Sequence, residues 1–214
     1  MKAYLFFAPL LFLIHFNAQA QQRTITSMKA SYDPEGVAEI YDRIRIGLEF
    51  KYTDGQEVKT EGLLSGAYRW RSIKISSSNG NVENGYLLVN RQQLMEDHYA
   101  IDLTVTIPDA SKPLKATIVL PRLESIRFNH YADSLKRGIR YYLNVEGIFS
   151  SGKIYPLDTN TIKFETSAGK LIGQDLLLNS NDATTRSITV TATNKRNHAM
   201  TITSTIPVKI LLDE

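Results

Sequence analysis

The chain has 214 residues, no cysteine, and a formal charge of +3 from 25 basic and 22 acidic side chains. At 43% apolar and 22% charged residues it is neither disordered nor collagen-like, and it is long enough for one large core or two small ones. The missing cysteines exclude a disulfide framework, thiolate metal sites, a thiol nucleophile and a lipidation box, and so small a charge makes no case for nucleic acid.

The chain opens MKAYLFFAPLLFLIHFNAQA. Lys2 supplies a minimal positive region, Ala3 to Phe16 is almost wholly apolar, and Ala18-Gln19-Ala20 is a small-x-small cleavage pattern. The apolar run is shorter than the roughly 20 residues a bilayer span needs, so residues 1–20 are predicted to be a signal peptide. No later segment is apolar enough to anchor the chain, and no transmembrane segment is expected in the mature protein. The mature chain has no Asn-x-Ser/Thr acceptor, so nothing supports a eukaryotic glycoprotein. The expected address is the periplasm or cell surface of a bacterium.

Beyond residue 20, strand signals dominate. IDLTVTI at 101–107, RSITVTAT at 186–193 and TITSTI at 201–206 alternate and are rich in β-branched residues. Turn signals punctuate them at Asp54-Gly55, Asn79-Gly80, Asn84-Gly85, Ser151-Gly152 and Ala168-Gly169. Helical turns are predicted only near Asn90–Glu96 and Asp133–Arg137. The fold class is all-β.

The two halves repeat each other. IKISSSNGNVENGYLLVN at 73–90 aligns without a gap on IKFETSAGKLIGQDLLLN at 162–179, an offset of 89. Tyr52-Thr53-Asp54-Gly55 matches Phe149-Ser150-Ser151-Gly152, LTVT at 103–106 matches ITVT at 188–191, and IVLP at 118–121 matches STIP at 204–207. The opening segments 25–33 and 123–133 also correspond. Each unit then holds about seven short alternating strands, as in two tandem immunoglobulin-like sandwiches, over residues 21–121 and 122–214. The predicted core is Trp70, as a strand aromatic, with Leu103, Val105 and Ile118 in the first unit. In the second it is Ile162, Phe164, Leu177, Ile188, Val190 and Ile202.

Residues 147–171, GIFSSGKIYPLDTNTIKFETSAGKL, resemble the bacterial Ig-like (BIG-type) tandem repeats of cell-envelope proteins. The resemblance rests on Gly147, Phe149, Gly152, Phe164, Thr166 and Ser167: a glycine–aromatic strand, a serine–glycine turn, and an aromatic strand running into paired Ser/Thr. The first unit departs from it, with Phe50 in place of the strand glycine and a longer insertion over 56–69. The resemblance implies a spacer or binding module without a catalytic centre.

The search for chemistry returns little. There is no G-x-S-x-G, HExxH, Walker or GxGxxG string. Ser150…Lys153 and Ser167…Lys170 have Ser-x-x-Lys spacing, but both contain glycine and straddle turns. His98, His130 and His198 lack ligand spacing. Asp33 with Glu35, Glu96 with Asp97, and Asp182 leave room for calcium at a joint between sandwiches, though without a dense acidic run. No catalytic, metal or cofactor site is predicted, and no cofactor is expected. The candidate binding residues are basic: Arg69 and Arg71, alternating with Trp70 beside Lys74; Lys136 and Arg137; and Lys195 and Arg196 at a late hairpin tip. They would serve an anionic envelope polymer or an acidic partner.

The leading expectation is a non-enzymatic exported envelope protein, an Ig-like scaffold or binding module for a protein or glycan partner, with no nucleic acid involved. Two other classes stay open: a periplasmic assembly chaperone acting by β-strand donation, and an enzyme whose catalytic residues are scattered beyond recognition.

Overall fold

The computed structural model describes residues 23–210; the predicted signal peptide lies outside the described residues. The first half begins with β1 (Ile25–Tyr32), β2 (Arg43–Tyr52), β3 (Glu57–Lys59), β4 (Lys74–Ser77), β5 (Val82–Glu83) and β6 (Tyr86–Leu88). The short helix α1 (Arg91–Glu96), capped by Asn90, leads to β7 (Ala100–Thr106) and β8 (Leu114–Val119). One sheet runs β1-β2-β6-β5, with β3 added to β2, and the facing sheet runs β4-β7-β8. Lettered A to G in chain order, with β3 an outgrowth of strand B, these are A-B-E-D against C-F-G. That is the immunoglobulin constant-type arrangement.

The second half repeats it with β9 (Leu123–Phe128), β10 (Tyr141–Tyr142), β11 (Val145–Phe149), β12 (Ile154–Leu157), β13 (Ile162–Thr166), β14 (Lys170–Ile172), β15 (Asp175–Leu177), β16 (Ser187–Asn194) and β17 (Thr201–Pro207). Its sheets run β12-β11-β9, β10-β15-β14 and β13-β16-β17. Here strand B is split into β10 and β11 at Leu143-Asn144, because side-chain amides take ladder positions there. Asn144 Nδ2 donates to Asn129 O at 3.1 Å, and Gln174 Nε2 donates to Leu143 O at 3.3 Å and Leu157 O at 3.1 Å.

The repeat extends to individual hydrogen bonds. Both opening strands slip register at the same place, between Ile25 and Ser27 and between Leu123 and Ser125. Gly55 N donates to Tyr52 O and Gly152 N to Phe149 O, each glycine at positive φ. The paired hydroxyls do matching work. Ser77 Oγ and Thr166 Oγ1 donate to Asn79 O and Ala168 O, while Ser78 Oγ and Ser167 Oγ accept from Asp102 N and Thr189 N. That last pair shifts the downstream alignment by two residues. Ladder register sets Ile101, Leu103 and Val105 opposite Ile188, Val190 and Ala192 in the repeat, so LTVT at 103–106 does not correspond to 188–191. A slip of two leaves the same residues facing inward, which is why alternation alone cannot detect it.

Two apolar clusters fill the sandwiches. One gathers Phe50, Trp70, Leu87, Leu103, Val105 and Ile118; the other gathers Phe149, Ile162, Phe164, Leu176, Ile188 and Val190. Trp70 is buried as predicted, but in a 3-10 turn (Trp70–Ser72) ahead of β4 and not in a strand. Its indole N–H donates to Glu61 O at 3.1 Å, and the ring lies on Gly85, where a Cβ would come within 2.6 Å of Nε1. Two expected core residues, Leu177 and Ile202, are half-buried; Leu176 and Ile206 point inward in their places. The helical turn near Asp133–Arg137 does not form.

Val37 and Ala38 are adjacent in sequence and fully buried in different clusters, Val37 in the second and Ala38 in the first. The loop between β1 and β2 therefore pegs one sandwich into the other.

Candidate binding site at the joint between the sandwiches

The six predicted basic residues lie on three separate loop regions. Arg69 and Arg71 are exposed at the 3-10 turn before β4, so they do not alternate along a strand. Lys136 is exposed between β9 and β10. Its neighbour Arg137 is half-buried and committed to backbone carbonyls, donating to Thr185 O and Lys209 O at 2.7 Å each and also to Asp182 O. Lys195 Nζ donates to Thr159 O. Of the six, Arg196 lines the joint between the sandwiches.

The other sequence candidates serve local structure. Ser150 Oγ accepts from Arg122 N at 3.1 Å, so the first Ser-x-x-Lys string holds the strand connection. Asp182 accepts from the backbone and hydroxyls of Thr184 and Thr185, which hold its carboxyl down to about 2. His130 stacks on Phe128 and its Nε2 lies 2.8 Å from Ser204 Oγ, with burial lowering its pKa. Among the described residues no three His, Asp or Glu side chains gather to hold a metal ion.

Chemistry concentrates where the loop between β1 and β2 meets the second sandwich. Glu35 forms an ion pair with Lys153 and accepts from Tyr155 Oη at 2.5 Å. The Lys153 hydrogen bond, then that of Tyr155, hold the Glu35 carboxyl below its usual range, and the same contact pushes Tyr155 up to about 12. Four residues on, Glu39 Oε1 accepts from Tyr99 Oη at 2.5 Å, while Oε2 is buried with no hydrogen-bond partner. Burial pushes Glu39 up, against the opposing pull of Tyr99, its own backbone N–H, Arg196 and Arg91.

The backbone is bent to deliver Tyr99. His98 and Tyr99 take φ of +52° and +65° at the end of α1, a conformation that non-glycine residues adopt at a cost of order 1–3 kcal/mol each. The bend is held by Tyr99 N donating to Leu94 O at 2.8 Å and Leu120 N donating to Tyr99 O at 2.9 Å. Arg91 fixes the facing loop, pairing with Asp42 at 2.6 Å and donating to Ala38 O.

Two clefts open around this point. One, of about 340 Å³, is polar and lined by Asp42, Arg91, Asp158, Asn160 and Thr161. The other, of about 320 Å³, is more apolar, with Met95, Tyr99, Leu123 and Met200. Glu39 and Arg196 line both. Sequence reading missed Glu39 and Tyr99. A single Glu between Val37-Ala38 and Ile40 carries no motif, and its partner lies 60 residues away.

No protein-family model matches the sequence, and no curated protein matches it. Among solved structures, the N-terminal part of the bacterial S-layer protein SbsC is similar at 14% identity and a TM-score of 0.35, over 89% of this chain and 45% of that one. Three N-terminal domains of the bacteriophage RB49 outer capsid protein Hoc give 15% identity and 0.35, over 88% and 59%. The titin Ig tandem A164-A165 gives 14% and 0.28, over 88% and 96%. The chain thus spans about half the length of the first two. The class follows from the chain's own strand order, A-B-E-D against C-F-G, present twice: a tandem of immunoglobulin-type sandwiches. Among the described residues no helix is long and apolar enough to cross a membrane.

Proposed function

We propose that this chain is an exported, non-enzymatic envelope protein of BIG type, a two-sandwich scaffold or binding module for a protein or glycan partner. Residues 1–20 act as its signal peptide, and the units divide as 21–121 and 122–214. The observation that carries this reading is the joint. Val37 sits in the core of the second sandwich and Glu35 is bound by Lys153 and Tyr155, so the tandem behaves as one presenting body. The exposed Arg69, Arg71, Lys136 and Lys195 give its loops a positive character suited to an acidic partner. The strand-donation alternative requires an edge strand with a free apolar row. In β8 the apolar Leu114 and Ile118 are instead buried in their own core.

The test is a binding isotherm of the purified exported protein on washed cell envelopes of its host. Saturable binding is expected, falling at least tenfold in the Arg69→Glu, Arg71→Glu, Lys195→Glu triple variant. Binding that never saturates, or that ignores the three reversals, would sink the proposal. Intact-mass analysis of the same material should show a chain beginning at Gln21.

A further inference from the structure

The outer strand of a sheet carries unpaired backbone groups along one side, and proteins protect such edges with short strands, charges, prolines or bulges. All but one of the described outer strands follow that rule. β1 and β9 slip register and carry Lys29, and Glu124 with Arg127. β3, β4, β5, β10 and β14 are short. β8 carries Lys115, β12 carries Pro156, and β13 carries Lys163 with Glu165. β17 is the exception. It is the outer strand of β13-β16-β17, its register against β16 is unbroken, and from Thr201 to Ile206 it has neither charge nor proline. The ladder also shows which groups are open. Asn194 N donates to Met200 O and Val208 N to Arg186 O, so the even-numbered residues of β17 bond to β16. Alternation then turns the N–H and C=O of Thr203 and Thr205 outward, where among the described residues no backbone or side-chain group meets them. The next outward residue, Pro207, is already occupied, its carbonyl accepting from Leu135 N.

We propose that β17 pairs antiparallel with β17 of a second copy of this chain, about a two-fold axis through Thr203, joining two three-stranded sheets into one. Thr203 N and O exchange bonds with Thr203 of the second copy, and Thr205 N donates to Thr201 O across the axis. The side chains agree with this register. On the outer face exposed Thr203 meets its own counterpart and Thr201 meets Thr205, cross-strand pairs that stabilise a sheet. The chain already makes such pairs within itself: Thr193 Oγ1 lies 3.1 Å from Thr201 Oγ1, and Thr189 Oγ1 3.5 Å from Thr205 Oγ1. On the inner face half-buried Ile202 meets half-buried Ser204. An uncharged strand meets no repulsion from its own copy, and this fit of the sequence on itself selects a second copy over a foreign strand. The contact is isologous, so each copy uses up its open edge and assembly closes at two. A single strand edge buries less than the roughly 1,000 Å² of a stable interface, so the pair should form and dissociate with concentration. The pairing is independent of the envelope partner proposed above; where that partner exists, the pair presents its binding surface twice and gains avidity.

The experiment is sedimentation velocity of the purified exported protein from micromolar to millimolar concentration. A reversible monomer–dimer equilibrium is expected. Thr203→Lys and Thr203→Glu each set like charges face to face at the axis and should weaken the dimer at least tenfold. An equimolar mixture of the two variants should restore it, because the facing charges are then opposite in sign. Thr191→Lys adds the same charge to the same face one strand in from the edge and should leave the dimer within about threefold of wild type, since charges so far from the axis are screened. Thr203→Pro removes an N–H that faces away from β16, a position where an edge strand tolerates proline, and should leave only monomer. It decides the matter if the charged variants fail to fold. A wild type that stays monomeric to millimolar concentration would overturn the pairing, whether or not a foreign strand binds the edge. So would a dimer that the folded Thr203 variants leave intact, one that Thr191→Lys breaks equally, or a mixture no more dimeric than its parts.

Discussion

At the scale of single residues, Trp70 and Gly85 form one structural unit. The indole covers a glycine whose positive φ ends the Asn84-Gly85 turn, with Asn84 also at positive φ. Two such residues are what a two-residue type I′ hairpin demands. In the second unit Gln174 stands where Gly85 does, and its amide fills the space by bonding to Leu143 O and Leu157 O. Trp70→Ala should cost about 3–5 kcal/mol, the usual penalty for emptying a large aromatic site, read by chemical denaturation. An unchanged midpoint would mean that the indole is not part of the core. Two carboxyls should respond to pH in opposite directions. Asp182, held at about 2 against an ordinary 3.8, contributes stability that is present above 3.8 and lost as pH falls toward 2. Glu39 is raised above 4.5, chiefly by burial, so its contribution is complete below 4.5 and lost as pH rises through its folded value. Glu39→Gln should therefore be more stable than wild type at neutral pH, and the gain should vanish in acid. Thermal melts across pH 3 to 8 check both signs.

At the scale of elements, α1 shows how far a short helix depends on its surroundings, since six residues are too few to persist alone. Asn90 caps it by accepting from Gln93 N at 3.3 Å. Fully buried Asn79 then grips the Asn90 backbone from both sides, Nδ2 donating to Asn90 O at 2.9 Å and Oδ1 accepting from Asn90 N at 3.0 Å. Asn79→Leu removes both bonds and strands the Asn90 N–H, at about 1–3 kcal/mol, while Asn90 O keeps only its bond from Leu94 N. Amide exchange over Arg91–Asp97 should accelerate well beyond the rest of the first sandwich. Exchange that rises uniformly would show that α1 is not separately held. The elements were largely legible in the sequence. All five Gly-containing turn pairs carry their glycine at positive φ, and the ungapped block around 73–90 and 162–179 maps strand onto strand from β4 to β6 and from β13 to β15. Legibility ended where side chains replace backbone. Leu143-Asn144 breaks strand B through amides whose partners are far off in sequence, and Trp70 leaves the strand because Glu61 binds its backbone N and its indole. The joint was the least legible part. Alternation reports which face of a strand is buried, but not that consecutive loop residues Val37 and Ala38 enter two different cores.

At the scale of the whole molecule, the connection between the sandwiches is too short and too well held to act as a free hinge. β8 ends at Val119 and β9 starts at Leu123. Of the residues between, Leu120 belongs to the first core and Pro121 is buried. Arg122 is tied to the hairpin after β11 by its N–H to Ser150 Oγ and its carbonyl to Ser150 N. The second attachment is the loop between β1 and β2, with Val37 inserted in the second core and Glu35 held by Lys153 and Tyr155. Two connections restrict rotation far more than one, so we expect a semi-rigid rod instead of two beads on a string. Val37→Asp removes apolar burial worth roughly 1.5–3 kcal/mol and places an unpaired charge in the second core, so it should release the peg and leave only the Pro121 connection. Small-angle scattering should then change from one extended, well-defined particle to a broader distribution of lengths, and limited proteolysis should newly cut within 33–42. A wild-type protein that scatters as a near-sphere would show the halves merged into one body. A Val37→Asp protein that scatters as wild type and resists proteolysis would show that the peg carries no mechanical role and that the linker alone sets the geometry.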